Sequence, residues 1–203
     1  MEARENRLSQ SSAEQTDVAD GRRRRGQDNR ARIVAAMLDL IRGGDVSPSA
    51  EQVAQQADVG LRTVFRHFAD MDSLYREMSE VIEAEMRAMA AQPFQATDRR
   101  GRVIELVARR GAVFERVAPF KRASEVLRHR SRFLQTDGDR LVAALREILE
   151  RELPAEVAED RLRLEVLDLL LGWESWARLR FVQNLTAAET RRVLEAAVDR
   201  LLP

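Results

Sequence analysis

The stretch DVGLRTVFRHF, Asp58–Phe68, decides how the chain is read. A helix advances about 100° per residue, so Leu61, Val64 and Phe68 would fall on one side and Arg62, Thr63, Arg66 and His67 on the other. The residues before it, SPSAEQVAQQADVG at 47–60, read as another short helix. Pro48 suits a first helical turn, and Ser49 followed three residues later by Gln52 makes a capping box. That helix must end near Ala57, because the next begins at about Gly60.

Two short helices joined by a tight turn, the second amphipathic with its donors outward, form a helix-turn-helix. Val59, Leu61, Val64 and Phe68 are expected to anchor the second helix. Arg62 and Arg66, four apart, would point together into a major groove, where arginine can fork onto guanine O6 and N7. Thr63 and His67 flank them and suit phosphate oxygens. Phe65 lies between the faces, within reach of a thymine methyl or a sugar. Ser49, at the start of the preceding helix, is counted with the DNA-facing residues.

The chain has 203 residues, enough for one or two domains with a real core. No run approaches the roughly 18 uninterrupted apolar residues of a membrane span. The start, MEARENRLSQSSAEQTDVADG, has no apolar stretch of the signal-peptide kind. There is no cysteine, which excludes disulfides and thiolate metal sites and fits a reducing, cytoplasmic setting. The net charge is zero, but residues 1–20 hold two arginines against five acids, and residues 21–68 hold nine against five. Positive charge thus gathers around the opening stretch, where local sign matters more for a partner than the total.

Residues 1–26 read as a disordered tail ending in the run Arg22, Arg23, Arg24, Arg25, an arm able to follow a DNA backbone or enter a minor groove. Ile33, Val34, Met37, Leu40 and Ile41 recur at helical spacing up to Gly43-Gly44. Asp70 can cap a helix over 71–91. Further helices are expected from Thr97-Asp98 to just before Pro119, over 119–131, over 137–153 with DGD as its entry, over 155–183 as one long element, and from the capping box Thr186–Glu189 to Leu202. No segment alternates with period two. The expected fold is all-α with about nine helices: a helix-turn-helix domain over 27–74 and a second helical domain over 75–203.

From Arg32 to Leu74 the sequence resembles the TetR family of bacterial transcriptional regulators. The resemblance rests on RIVAAMLDLIRGG, AEQVAQQADVGLRTVFRHF and ADMDSLYREM, and the run Val53–Phe68 is its specific part. It implies an N-terminal three-helix DNA-binding domain and a C-terminal domain for ligand binding and dimerisation. It also implies a homodimer reading a pseudo-palindromic double-stranded operator, usually a repressor released by a small-molecule effector. The chain departs from the family pattern with Gly60 for the usual Ser, Phe65 for the usual Tyr and Met71 for the usual Lys.

The helix expected over 155–183 is apolar nearly all round, which calls for burial on more than one side. Leu162, Leu169, Gly172 and Trp176, with Leu194, Ala197 and Leu201 of the last helix, are expected at a dimer interface. The helix over 71–91 is the expected link between the two domains. An effector site is expected among Met86, Met89, Val107, Phe114, Phe120, Leu170 and Trp173, with Arg110 or Glu174 as polar anchors, for a hydrophobic or amphipathic ligand. No metal or cofactor is expected: His129 has no second ligand nearby, and DGD at 137–139 lacks the other positions of a calcium loop. The rival classes are an enzyme, for which no nucleophile elbow, P-loop, zinc-protease or dinucleotide motif is present, and an architectural DNA-binding protein without effector.

Overall fold

The computed structural model describes residues 26–203, and all of their regular elements are helical. The basic run Arg22–Arg25 and the rest of the expected tail lie outside the described residues, except Gly26, which is already helical. The chain divides into two compact units between Met78 and Ser79, a few residues beyond the boundary expected at Leu74. Among the described residues no helix is long and apolar enough to cross a membrane.

The first unit holds α1 (residues 26–42), α2 (Ala50–Gln56), α3 (Leu61–His67) and the start of α4 (Met71–Ala90). Its core is the α1 stripe Ile33, Met37 and Ile41 with Val53, Val64, Phe68 and Leu74. Helix α1 stops where Gly44 takes φ +101°, which lets Gly44 N–H reach Ile41 O and Asp45 N–H reach Leu40 O. Helix α2 begins in the expected capping box, with Gln52 N–H donating to Ser49 Oγ at 3.3 Å and Ser49 N–H donating to Gln52 Oε1 at 2.7 Å. It ends as α1 does. Asp58 takes φ 51°, its N–H donates to Gln55 O, and Val59 N–H donates to Ala54 O at 3.0 Å. The α2–α3 turn is therefore a left-handed cap carried by an aspartate. Asp70 caps α4, its Oδ1 accepting from Ser73 N–H at 2.8 Å.

The second unit holds the end of α4 and α5 (Arg99–Leu127), α6 (Arg132–Glu152), α7 (Ala155–Ala158), α8 (Arg161–Leu170), α9 (Trp173–Ala177), a π-helical turn (Arg178–Val182) and α10 (Ala187–Asp199). Three sequence expectations change here. Helix α5 runs unbroken through Pro119 and absorbs the expected short helix over 119–131. An internal proline costs about 3 kcal/mol, but Phe114, Val117 and Ala118 before it and Phe120, Ala123 and Leu127 after it are all buried. At about 1.5–3 kcal/mol per large apolar side chain, that continuous burial outweighs the lost bond.

Helix α6 starts at Arg132, where Ser131 Oγ accepts from Leu134 N–H at 3.1 Å, so DGD lies inside the helix and not at its entry. The helix expected over 155–183 is broken twice. Asp160 caps a new start by accepting from Leu162 and Arg163 N–H, and Gly172, at ψ 160°, turns the chain so that Trp173 and Trp176 enter the core. Helix α10 opens in the expected capping box, with Glu189 N–H donating to Thr186 Oγ1 and Thr186 N–H to Glu189 Oε2, and ends at Asp199.

A non-glycine residue in the left-handed region costs about 1–2 kcal/mol for ordinary side chains and less for aspartate. Asp58→Val should accordingly lower stability by about 1–2 kcal/mol, while Asp58→Gly should leave it equal or higher. Urea unfolding of the three proteins checks both signs.

Candidate nucleic-acid interface

Two side chains seat α3 most deeply: Val64 and Phe68 are 1 % and 2 % exposed. With about 100° per residue, their mean direction lies opposite Arg62 and Arg66, which are exposed. Thr63 and His67 border the buried side on one flank and are half-buried. Leu61 and Phe65 border it on the other, 37 % and 52 % exposed. Leu61 was expected as an anchor and is not one. It sits in the first turn, and α3 is too short for its whole apolar side to lie against α1 and α2. The outward face of α3 thus carries two guanidinium groups beside two apolar side chains one turn apart. Among the described residues neither Arg62 nor Arg66 pairs with a carboxylate.

Each end of α3 is fixed by an arginine of α1. Before α3, Arg32 donates to the carbonyls of Ala57 and Asp58, the latter at 3.1 Å, inside the turn. After it, Arg30 donates to His67 O, lies 4.5 Å over the Phe68 ring and pairs with Glu77 of α4. Sequence reasoning missed both. Their signal was two basic residues, spaced by one, on a helix that packs beside the motif.

Gly60 caps α3 in extended geometry with no side-chain bond and open space around it, so a serine would fit there. The Ser49 hydroxyl, expected to face DNA, is engaged by the α2 cap. His67 needs a correction. Its Nε2 is buried and bonds no described residue, so that nitrogen offers nothing to a phosphate. Burial, then the nearby Arg66 and Arg30 charges, hold its pKa below the usual 6.5.

In the second unit the residues expected around an effector divide. Val107, Phe114 and Trp173 belong to one buried cluster, with Leu170 packed against it. Phe114 meets the Trp173 ring edge-on at 5.8 Å and the Trp176 ring at 6.2 Å. Phe120 is buried, and Met86 and Met89 on α4 are half-buried. Of the two proposed polar anchors, Arg110 is 5 % exposed and points inward, donating to Leu171 O at 3.0 Å and to Leu145 O. Burial draws its pKa down to about 10, against the opposing pull of Asp168, so it stays charged at neutral pH. Glu174 is exposed and drops out as an interior anchor.

Both indole N–H groups donate to α5 carboxylates, Trp173 to Glu125 at 2.6 Å and Trp176 to Glu115 at 3.0 Å. Glu115 is held below the usual carboxylate range, chiefly by its fork with Arg180.

The expected dimer residues also divide. Leu162 and Leu169 stand 80 % and 65 % exposed, with Val166 between them also exposed. Gly172, Ala197 and Leu201 are half-buried, and Leu201 packs against the core. Trp176 and Leu194 are buried in the chain's own core, because the Gly172 break and the α10 stripe turn them inward.

Comparison with protein-family models, with curated proteins and with solved structures gave no match for this chain. The His67 environment yields a pH dependence. Its folded pKa lies below the unfolded value of about 6.5, so the unfolded chain takes up the proton first. Stability is therefore retained above that pH and lost as pH falls through the folded pKa. Urea midpoints should drop between about pH 7.5 and 5.5, and His67→Gln should flatten that slope; equal slopes would remove the half-buried imidazole as its cause.

Proposed function

We propose that the chain is a sequence-specific DNA-binding transcriptional regulator of the TetR type. It acts as a homodimer on a pseudo-palindromic operator, as a repressor released by a hydrophobic or amphipathic small molecule. One observation carries this reading: a seven-residue second helix, held through Val64 and Phe68, turns Arg62, Phe65 and Arg66 outward. Two exposed guanidinium groups four residues apart suit guanine edges, and the ring beside them suits a thymine methyl. The resemblance over Arg32–Leu74 supports the same reading, as does the density of arginine around the motif.

The dimer reading is supported by the aliphatic stripe Leu162, Val166 and Leu169 on α8, which the chain leaves exposed. A two-fold axis would set one stripe against its copy. The effector reading rests on the buried aromatic cluster of the second unit and on the inward-facing Arg110.

The test is selection of a bound sequence from random double-stranded DNA, followed by titration of variants. Arg62→Ala and Arg66→Ala should each weaken binding to the selected site by about 1–3 kcal/mol where the side chain forks onto a base, and bind random DNA with less loss. If both variants bind the selected site like the parent, α3 is not the reading helix. For the assembly, Leu169→Arg should give monomers in sedimentation at micromolar concentration where the parent gives dimers. A parent that sediments as a monomer rules the interface out.

A further inference from the structure

Arg110 is the unusual residue of the second unit. A guanidinium offers five N–H donors and needs a counter-charge when taken out of water. Here two carbonyl oxygens, of Leu171 and Leu145, accept from the Nη atoms, and the buried Nε–H has no partner among the described residues. Among the described residues no carboxylate bonds the group. Asp168 acts on it through space, but its oxygen is taken by Arg146 at 3.1 Å. Arg110 thus stays charged in an apolar cluster with its Nε–H unpartnered among the described residues. Such a cation is costly unless something else supplies the anion.

A second idle group lies at the same level of the bundle. Arg100 of α5 donates to Asp199 at the end of α10 at 2.5 Å, and Arg180, bonded to Glu115 farther along α5, donates to Leu185 O just before α10, so α10 returns antiparallel along α5. Ten residues on from Arg100 is Arg110, and nine back from Asp199 is Thr190. The Thr190 hydroxyl is fully buried and likewise bonds no described residue. Phe114 and Leu194, one turn on from Arg110 and Thr190, and Leu171, whose carbonyl Arg110 meets, belong to the buried apolar cluster.

We propose that Arg110 is the anion-recognition residue of the effector site, with Thr190 as a further polar contact, and that the effector is an amphipathic carboxylate. This rests on the reading of the second unit as an effector domain. A carboxylate fits better than a phosphate. One cation in a dry site balances one negative charge, and a phosphate monoester dianion would leave a second unpaired. The apolar remainder of the ligand would lie against the aromatic cluster.

The experiment is titration of the full chain, without DNA, with straight-chain carboxylates from hexanoate to tetradecanoate and with the primary alcohols of the same lengths. The chain's two tryptophans, Trp173 and Trp176, both lie in this cluster, so intrinsic fluorescence reports on it directly. At least one carboxylate should bind on the order of tenfold more tightly than its alcohol, the scale of one buried charge-assisted bond. Arg110→Met should bring that ratio near one while the alcohol's affinity changes little. Arg110→Gln keeps amide donors for the carbonyls and loses only the charge; it should do the same, and it carries the test if the methionine variant does not fold. Equal binding of acid and alcohol by the parent, an unchanged ratio in the variants, or no binding across the series overturns the proposal. Because no DNA is present, such a failure leaves the reading of α3 intact, and failure to select an operator leaves the carboxylate site intact.

Discussion

A helix of seven residues has too few internal hydrogen bonds to persist alone; isolated helices shorter than about 12–15 residues are marginal in water. Everything that α3 presents therefore depends on how α1 and the α2–α3 turn hold it. The turn is closed by the left-handed Asp58 cap, and Arg32 gathers the two carbonyls that this geometry exposes. At the other end Arg30 takes the carbonyl of His67 and covers the ring of Phe68. Charge-assisted bonds of this kind are each worth about 1.5–3 kcal/mol when shielded, and less here, where both arginines are partly exposed. Their effect is mainly orientational. With both ends fixed to one rigid helix, the direction of Arg62 and Arg66 is set by α1 as much as by α3.

In the second unit the corresponding constraint is the approach of Trp176 to α5. A Cβ on Gly111 would lie 2.5 Å from the indole, so the ring can sit there only because position 111 has no side chain. Burying two indoles then requires acceptors for two N–H groups, and Glu115 and Glu125 supply them from the same helix. Glu115 in turn holds Arg180, which also donates to Leu185 O across the π-helical turn. Aromatic packing, an unbroken α5 and the irregular chain after α9 are consequences of one another. Arg110 stands apart from this network, since its charge is balanced by none of it.

Much of this was readable in advance where the signal is local. The capping boxes at Ser49 and Thr186 depend on residues three apart, and both helices start where those residues put them. The end of α2 near Ala57 followed from spacing alone. What failed depended on distant partners. Pro119 looks like a helix end until the burial of Phe114, Phe120 and Ala123 on both sides of it is known. Asp137-Gly138-Asp139 looks like an entry until Ser131 is seen to cap further upstream. Residues 155–183 have the periodicity of one helix, and only the need to insert Trp173 and Trp176 into the core explains the break at Gly172. At the candidate sites, Arg62 and Arg66 fell on the expected face because helical periodicity decides it. The inward turn of His67 and the outward turn of Glu174 were set by neighbouring elements.

The break at Gly172 also bears on α8. Read as one continuous helix, its leucines called for two buried sides. The structure divides them: Leu164, Leu167 and Leu171 point into the core, and Leu162, Val166 and Leu169, at spacings of four and three, form the opposite stripe. Each large aliphatic side chain left in water forgoes about 1.5–3 kcal/mol of burial, so a bare stripe of three is a strong bias toward a covering surface. With Trp176 and Leu194 withdrawn into the chain's own core, a second copy meeting this stripe would find aliphatic contacts and no tryptophan anchor. An interface of that kind draws its energy from a few repeated methyl contacts across a two-fold axis. A single charge placed in such an interface would be counted twice, once from each copy, and would be correspondingly hard to accommodate.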